Sequence, residues 1–192
     1  MNVNQAKKIH MIGIKGVGMT MLAQYLAAQG KVISGSDTKE IFMTDKVLAT
    51  AGIIIKEGFA PENIPAIIDL VIFSTAYDPE QNNELAYASS KKLPLLSYAE
   101  ALGQVFNQKF GIAVAGSHGK TTTTAWLGYV LDKAGLSPSV MVGANVPQFN
   151  GACLIGQSDY LAIEADEYQN KLKYFQPRLV LSELLRIRLE IR

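Results

Sequence analysis

Short apolar runs recur along the first half of the chain and alternate with segments of helical spacing. These runs occupy residues 9–14, 31–34, 52–55, 70–74 and 94–97. Each run is apolar almost throughout and does not alternate with polar residues, which is typical of parallel strands buried between two layers of helices. After the first run, helical spacing leads to Gly30, which is placed to end a helix. The pattern therefore predicts an α/β fold.

A second series of elements follows a polar break. A helix closes the first unit, and an apolar strand then begins at Phe110. Helical spacing from about Lys120 ends at Gly135, and further strands are predicted at the segments SVMVG and DYLAIEA. We therefore predict two domains. Residues 1–107 form a Rossmann-like parallel-sheet domain, and residues 108–192 form part of a second α/β domain.

Composition and charge exclude several classes of protein. The 192 residues contain 18 Lys and Arg against 17 Asp and Glu, for a formal net charge of +1, and no long run of one sign occurs. A surface for nucleic acid or lipid is therefore not expected. No window approaches the ~18 apolar residues of a membrane span, and the amino terminus does not resemble a secretory signal. We expect a cytoplasmic protein with no nucleic-acid and no membrane partner.

Three side chains are expected to be structural. The single cysteine, Cys153, excludes an internal disulfide and is expected to be a small buried hydrophobe. Trp126 stands four residues before Val130, and this helical spacing predicts a core position. His10, at the first predicted strand, is also expected to be structural.

The motif GSHGKT, which begins at Gly116, joins a predicted strand to a predicted helix. A helix amino terminus carries unpaired N–H groups and a partial positive charge, so small residues there let a phosphate come close. Gly116 and Gly119 permit that approach, Lys120 can neutralise phosphate charge, and the Thr121 hydroxyl can join a magnesium shell. The strict Walker pattern needs glycine where Val114 stands, so this is a shorter form, G-x-x-G-K-T. A plain strand-to-helix turn is the alternative, but it does not explain four consecutive threonines, which are poor helix formers.

Three acidic residues, Glu164, Asp166 and Glu167, stand at the end of the predicted strand YLAI. P-loop proteins place a carboxylate at the end of a neighbouring strand to hold the Mg²⁺ that bridges the β- and γ-phosphates. Glu164 and Asp166 point to the same side if the strand continues. A solvated strand end is the alternative, but three acids near a phosphate loop favour a role in metal or substrate binding.

The loop GIKGVG at residues 13–18 also joins a strand to a helix. The middle glycine of a dinucleotide fingerprint would stand at Lys15, where the backbone comes closest to the pyrophosphate, so NAD is not supported. Asp37 ends the second predicted strand, where an acid can bind a ribose hydroxyl. Residues 74–76 follow a predicted strand and lie at the ligand-binding edge of such a sheet. The loop suits a nucleotide diphosphate, and a tight turn without a ligand is the alternative.

These motifs together are similar to those of the Mur ligases, the ATP-dependent enzymes of peptidoglycan precursor synthesis. The resemblance extends to about Leu181. The segments that carry it are HMIGIKGVGMT, VISGSD, VIFSTAYDPEQNNELAYASSKKLPLLSYAEAL, AVAGSHGKTTTTA and DYLAIEADE. It implies that the second domain is a partial P-loop-type ATP-binding domain.

The resemblance also implies a reaction and its site residues. ATP phosphorylates the lactyl carboxylate of UDP-N-acetylmuramate to an acyl phosphate, which an amine then attacks, with ATP and Mg²⁺ as cofactors. Lys120 and Glu164 are the implied catalytic residues, and Thr121 and Glu164 are the implied metal ligands. The implied ATP-binding residues are Gly116, Ser117, His118, Gly119, Lys120, Thr121 and Thr122. The implied UDP-sugar-binding residues are Gly13, Lys15, Gly16, Val17, Gly18, Asp37, Ser74, Thr75 and Ala76.

Two points in the resemblance stay open. Lys15 replaces a glycine usual in the family, and its side chain either pairs with a substrate phosphate or faces solvent. The amine substrate is either L-alanine or a ready-made tripeptide. The loop followed by TTTTA and the segment EADE favour L-alanine, whereas Tyr168 and Gln169 depart from the residues usual at those positions.

The resemblance ends after the segment PRLVL, although family members continue with further sequence. We therefore expect a truncated chain that binds the sugar nucleotide and ATP but does not complete ligation. Two other classes are kept for comparison. An NAD-linked oxidoreductase predicts glycine at position 15 and no G-x-x-G-K-T loop. A nucleotide-binding regulator without catalysis predicts tight ATP binding and no preference for a sugar nucleotide.

Overall fold

Two five-stranded sheets organise the described part of the chain. The structure is a computed structural model that describes residues 2–78, 80–149, 151–165 and 173–182. The first sheet contains β1 (Lys8–Ile12), β2 (Val32–Asp37), β3 (Ile54–Glu57), β4 (Leu70–Phe73) and β5 (Leu95–Ser97). The second contains β6 (Phe110–Ala115), β7 (Ser139–Val146), β8 (Gly151–Leu154), β9 (Tyr160–Glu164) and β10 (Leu179–Ser182). The α-helices are α1 (Val17–Ala28), α2 (Met43–Thr50), α3 (Asn83–Ser90), α4 (Tyr98–Asn107) and α5 (Lys120–Lys133), and short 3-10 helices lie at Pro61–Asn63 and Pro147–Phe149.

The first sheet has the strand order β3-β2-β1-β4-β5, and all of its strand pairs are parallel. This confirms the predicted Rossmann-like parallel sheet. The order reverses between β1 and β4, and ligands of such sheets bind at this point, in the crevice beyond the carboxyl ends of the strands. Residues 13–18 follow β1 and residues 74–76 follow β4, so both segments border the crevice.

The second sheet has the order β10-β6-β9-β7-β8 and is mixed, because β8 runs antiparallel to β7 while the other pairs are parallel. The sequence pattern did not reveal its two edge strands, β8 and β10. The central strands β6 and β9 are neighbours, with Val114 opposite Glu164. The loop that follows β6 and the carboxyl end of β9 therefore lie side by side.

One apolar core extends across both sheets. Met11 and Leu22 from the amino-terminal part share a cluster of buried side chains with Ala113, Leu161 and Ile163 from the second sheet. The predicted domain boundary at residue 107 falls where α4 ends, just before β6. The division into two domains stays a prediction, and the two parts are in direct contact through this core.

Phe106, in the last turn of α4, packs at the junction of the two sheets. Its side chain is fully buried, and its ring makes an edge-on contact with Phe175, with 5.3 Å between the ring centroids. A Cβ atom at Gly111 would lie 2.5 Å from the Phe106 ring. A residue without a side chain at position 111 therefore lets the ring pack directly on the backbone of β6.

The predicted core position of Trp126 is wrong, since its side chain is 68% exposed. Helix α5 packs on the second sheet through its opposite face, which carries the buried residues Thr124 and Gly128. Trp126 lies two positions from each of them, and in a helix this separation points a side chain away from the packed face. The predicted burial of the third strand is also wrong, because β3 is an edge strand and Ile54 is 68% exposed.

Two further side chains belong to the interior. Cys153 on β8 is partly buried against the shared core, and burial raises the pKa of its thiol to about 12. His10 on β1 is fully buried, with Nε2 2.5 Å from Oε1 of Glu84 and Nδ1 2.9 Å from the hydroxyl of Ser34. In the described ranges, no helix has both the length and the apolar character that a membrane crossing requires.

Candidate nucleotide-binding cleft

A cavity of about 350 Å³ lies between the carboxyl ends of the two sheets. The first sheet contributes the glycine loop after β1 and the turn after β4, and the second contributes the end of β9. The lining residues are Gly16, Val17, Gly18, Met19, Met21, Ser74, Thr75, Ala76, Tyr98, Leu102, Met141, Gly143, Ile163, Glu164 and Phe175.

The glycine loop of residues 13–18 presents the start of α1 to this cavity. Gly16 is the N-cap of the helix, and because it has no side chain, it does not cap the first N–H groups. The first N–H groups of a helix have no intrahelical partners, and the helix dipole makes this end attractive to anions. The loop is also tightly packed, because a Cβ atom at Gly18 would lie 2.7 Å from the hydroxyl of Tyr98. The geometry suits a diphosphate at the start of α1.

Asp37, at the end of β2, is 3% exposed and fixes the same loop. Its Oδ2 accepts a hydrogen bond from the Lys15 backbone N–H at 2.7 Å. Its Oδ1 accepts hydrogen bonds from the Thr38 N–H at 2.8 Å and from the Tyr77 hydroxyl at 3.0 Å. Burial, together with the charge of Asp37, raises the pKa of Tyr77 to about 12. The predicted ribose contact of Asp37 stays a prediction, and the carboxylate already organises the loop in this structure.

The Lys15 side chain does not face solvent, which corrects one of the two alternatives for this residue. It is 6% exposed, and its ammonium group lies among residues that follow β2, 3.1 Å from Oδ1 of Asp45. The other alternative, a bond to a substrate phosphate, would require the ammonium to leave these partners.

The second glycine loop connects β6 to α5. Gly119, the N-cap of α5, has a φ of +75°, a left-handed conformation that glycine adopts without steric cost. Ser117, His118 and Gly119 are exposed at the loop surface. The Lys120 ammonium donates a hydrogen bond to the carbonyl oxygen of Gly116 at 2.7 Å, so the cation lies directly over the loop. An anion at the start of α5 would meet both the helix N–H groups and this cation.

Glu164, the last residue of β9, connects the second glycine loop to the cavity. Its Oε2 accepts a hydrogen bond from the Thr121 hydroxyl at 3.1 Å, and its Oε1 accepts one from the Gly143 N–H at 2.7 Å. A carboxylate and a hydroxyl oxygen at this distance are ligands that suit Mg²⁺, which binds through one or two carboxylates and substrate phosphates. The positions of Thr121 and Glu164 are therefore compatible with their predicted role as ligands of Mg²⁺.

The remaining acidic candidates, Asp166 and Glu167, lie outside the described residues, as do Tyr168 and Gln169. Among the residues that the structure describes, no group of three or more His, Cys, Asp and Glu side chains could hold a metal ion. Within the described part of the chain, the Thr121 hydroxyl is the side-chain oxygen that lies within hydrogen-bond distance of the Glu164 carboxylate.

The cavity brings together part of the predicted site and adds other residues, whereas Gly13, Lys15, Asp37 and residues 116–122 do not line it. The predicted residues that line the cavity are Gly16, Val17, Gly18, Ser74, Thr75, Ala76 and Glu164. Thr121 is joined to this set by the hydrogen bond from its hydroxyl to Glu164. Sequence reasoning missed Tyr98, Gly143 and Phe175. Gly143 is the last residue of one predicted strand and Tyr98 directly follows another, so their positions were a usable signal, whereas nothing in the sequence near Phe175 marked it.

Comparison with known proteins gives a consistent result. A family model described as "Mur ligase family, catalytic domain" matches residues 8–110. The chain is 42% identical over 174 residues to a UDP-N-acetylmuramate--L-alanine ligase of Treponema pallidum, an alignment that covers 90% of this chain and 36% of that relative. The chain thus spans about a third of the length of this curated relative.

Two solved structures have a similar fold. UDP-N-acetylmuramate:L-alanyl-gamma-D-glutamyl-meso-diaminopimelate ligase from Neisseria meningitides matches with a TM-score of 0.82 and 29% identity, over 91% of this chain and 59% of that one. UDP-N-acetylmuramate-alanine ligase from Thermotoga maritima matches with a TM-score of 0.78 and 29% identity, over 91% of this chain and 40% of that one.

Proposed function

Because the chain belongs to the Mur ligase family, we propose that its cleft binds UDP-N-acetylmuramate and ATP with Mg²⁺ for the ligation of L-alanine to the lactyl carboxylate. One observation carries this proposal. The glycine loop of residues 16–18 and the carboxylate of Glu164 line the same cavity, so a sugar nucleotide held by its diphosphate can extend towards the ATP loop. The chain spans 36% of the relative from T. pallidum. We therefore propose the two binding steps for this chain itself, and the complete ligation only as the reaction to which this binding belongs.

Phosphoryl transfer between two anions depends on positioning and on neutralisation of charge more than on covalent help from the protein. The start of α1 holds the UDP diphosphate, and residues 116–122 hold the phosphates of ATP. Lys120 moves from the Gly116 carbonyl to the phosphates and neutralises their charge. Thr121 and Glu164 hold Mg²⁺, which when bound reduces the repulsion between the phosphate and carboxylate oxygens.

The amine substrate is the finer part of the proposal. Identity to a curated L-alanine ligase, 42% over 90% of the chain, supports L-alanine. A tripeptide is the second candidate, and the TM-score of 0.82 to the ligase from N. meningitides supports it. An NAD-linked oxidoreductase is disfavoured by Lys15 in the first glycine loop and by the presence of the second loop.

The proposal is tested by calorimetric titration of the chain with UDP-N-acetylmuramate, with ATP and Mg²⁺, and with NADH as a control ligand. We expect saturable binding of the first two and none of NADH. Binding of ATP without any preference for the sugar nucleotide would instead support a nucleotide-binding regulator. Release of phosphate that depends on L-alanine or on the tripeptide would identify the amine and contradict the expectation that this chain does not complete ligation.

The Lys120→Met variant isolates the ATP loop. Removal of the ammonium leaves the phosphates without their cation, so we expect ATP affinity to fall by about tenfold or more, because a charge-assisted hydrogen bond is worth roughly 1.5–3 kcal/mol. Affinity for the sugar nucleotide should not change. Lys133→Met is the matched control, since Lys133 lies at the other end of α5 and is exposed. Equal ATP affinity in the wild type and in Lys120→Met would contradict the assignment.

A further inference from the structure

The Lys15 ammonium group joins the first glycine loop to segment 38–45, which follows β2 and includes the first residues of α2. It donates hydrogen bonds to the carbonyl oxygens of Thr38 at 3.0 Å and Glu40 at 2.7 Å. It also lies 3.1 Å from Oδ1 of Asp45 and 5.8 Å from the centre of the Phe42 ring. An ammonium group has three N–H donors, and these three oxygen atoms can use all of them.

The backbone of Lys15 is bound to the same part of the chain. Its N–H donates to Oδ2 of Asp37 at 2.7 Å, and its carbonyl oxygen accepts a hydrogen bond from the Thr44 hydroxyl at 2.6 Å. The backbone and the side chain of one residue therefore both contact residues 37–45. The glycine loop and this segment are held together at a single position of the sequence.

Because the Lys15 ammonium is buried, breaking its contacts is energetically costly. A buried charge that loses its partners carries a large desolvation cost, so the paired arrangement is strongly favoured over an open one. Burial alone would raise the pKa of Asp45, but the Phe42 N–H and the Lys15 ammonium lower it below its ordinary value. The carboxylate therefore stays charged at neutral pH and keeps the ion pair.

Segment 38–45 has little other support near its tip. Ile41 is 93% exposed and Met43 is 90% exposed, so neither side chain packs against the sheet. The contact between the Phe42 N–H and Oδ2 of Asp45 is internal to the segment and does not attach it to the glycine loop. At the tip, the Lys15 ammonium binds the carbonyl oxygens of Thr38 and Glu40, and α2 is anchored separately by the buried side chain of Leu48.

We propose that Lys15 is a positioning residue that holds segment 38–45 against the first glycine loop and so fixes the shape of that loop for the sugar nucleotide, although its ammonium group does not itself bind the phosphates. This inference rests on the proposed function, because the ligand it concerns is UDP-N-acetylmuramate. It assigns a role to the residue at which this chain departs from the glycine of the family. Loss of the ammonium should free the segment and weaken sugar-nucleotide binding, and ATP binding should be unaffected.

The test compares Lys15→Met with Lys39→Met in the full chain. Methionine keeps an unbranched apolar side chain and removes the charge, and Lys39 is an exposed lysine of the same segment. Amide hydrogen exchange of residues 38–45, measured without any ligand, reports the freedom of the segment. Calorimetry with UDP-N-acetylmuramate and with ATP and Mg²⁺ reports the two sites. Asp45→Asn removes the other half of the ion pair and serves as a second variant if Lys15→Met does not fold.

For Lys15→Met we expect exchange in segment 38–45 to accelerate and sugar-nucleotide affinity to fall, each by about tenfold or more, while ATP affinity stays unchanged. Lys39→Met should match the wild type in all three. Unchanged exchange, or faster exchange with unchanged sugar-nucleotide affinity, would overturn the role of Lys15. A wild-type chain that does not bind UDP-N-acetylmuramate would overturn the proposed function and, with it, the positioning role, so the two failures are told apart by the wild-type titration.

Discussion

Gly13 shows how strongly a single residue can be constrained at the first glycine loop. Its φ is +80°, and a Cβ atom there would lie 2.6 Å from the Tyr77 ring and 2.8 Å from Cβ of Ser74. Gly30 has the same φ of +80° but no atom within 4 Å of a Cβ position. A substitution at Gly30 therefore tests the free-energy cost of the left-handed backbone alone, whereas one at Gly13 adds the cost of crowding.

We expect Gly30→Ala to cost about 1–2 kcal/mol of unfolding free energy, from the left-handed backbone alone. Gly13→Ala should cost about 1–3 kcal/mol more, because the added methyl group overlaps Tyr77 and Ser74. Urea unfolding of both variants measures the difference. Equal losses would mean that the turn after β4 moves away without cost.

The Tyr77 hydroxyl predicts a dependence of stability on alkaline pH. Its pKa in the folded chain is about 12, above its ordinary value of 10.0. Between these values the folded chain holds a proton that the unfolded chain releases, so the stabilisation is complete below pH 10 and is lost as the pH rises towards 12. Urea unfolding at pH 9, 10 and 11 should show a steeper loss of stability in the wild type than in Tyr77→Phe. Parallel losses in the two chains would argue against this contact.

At the scale of elements, the residue that α5 can carry at a packed position depends on the side chains of β7 beneath the helix. A Cβ atom at Gly128 would lie 2.6 Å from a methyl group of Val140 on β7. Alanine normally stabilises a helix interior relative to glycine by about 1 kcal/mol, but here the methyl group would overfill a packed interface at a cost of about 1–3 kcal/mol.

We therefore expect Gly128→Ala to destabilise the chain by roughly 1 kcal/mol, since crowding outweighs helix propensity. Val140→Ala should be less harmful in the Gly128→Ala background than in the wild type, because it removes the clashing methyl groups. A double-mutant cycle measured by thermal unfolding checks this coupling. Strict additivity of the two changes would rule out the contact as the cause.

The sequence was sufficient for elements whose pattern is local. The apolar runs at residues 9–14, 31–34 and 70–74 correctly located strands β1, β2 and β4, and α5 lies between Gly119 and Gly135 as predicted. The pairing of Thr121 with Glu164 also followed from a local rule, because parallel neighbours end at the same edge of a sheet.

The parts that were missed depend on distant contacts. The side-chain partners Thr38 and Glu40 of Lys15 lie 23 and 25 residues further along the chain, and no periodicity reports such pairs. The face of α5 that is buried depends on where the second sheet lies, so the spacing of Trp126 and Val130 was real but marked the exposed side. The short edge strand β8 leaves too brief a pattern to distinguish it from a loop.

At the scale of the whole molecule, the shared core predicts that the two sheets unfold together. Phe106 is fully buried between them, so a smaller side chain there loosens the packing of both. We expect Phe106→Leu to cost about 1–2 kcal/mol. Hydrogen exchange should accelerate by a similar factor in β1 and in β6.

Phe110→Leu is the matched control, because Phe110 is 44% exposed and its ring contacts Tyr160 of the same sheet. It should cost less and should not affect exchange in β1. If Phe106→Leu instead accelerated exchange in only one sheet, the two parts would be independent folding units in spite of their contact.

The partly buried thiol of Cys153 has a practical consequence for spectroscopy. Because burial raises the pKa of this thiol to about 12, the thiol is almost entirely protonated at pH 7, and the thiolate is the form that reacts with maleimides. The chain has no other cysteine. A cysteine introduced at the exposed position Lys39 could therefore be coupled to a fluorophore or spin label in the otherwise natural sequence, giving a direct optical or magnetic report of how the segment after β2 moves when a ligand arrives.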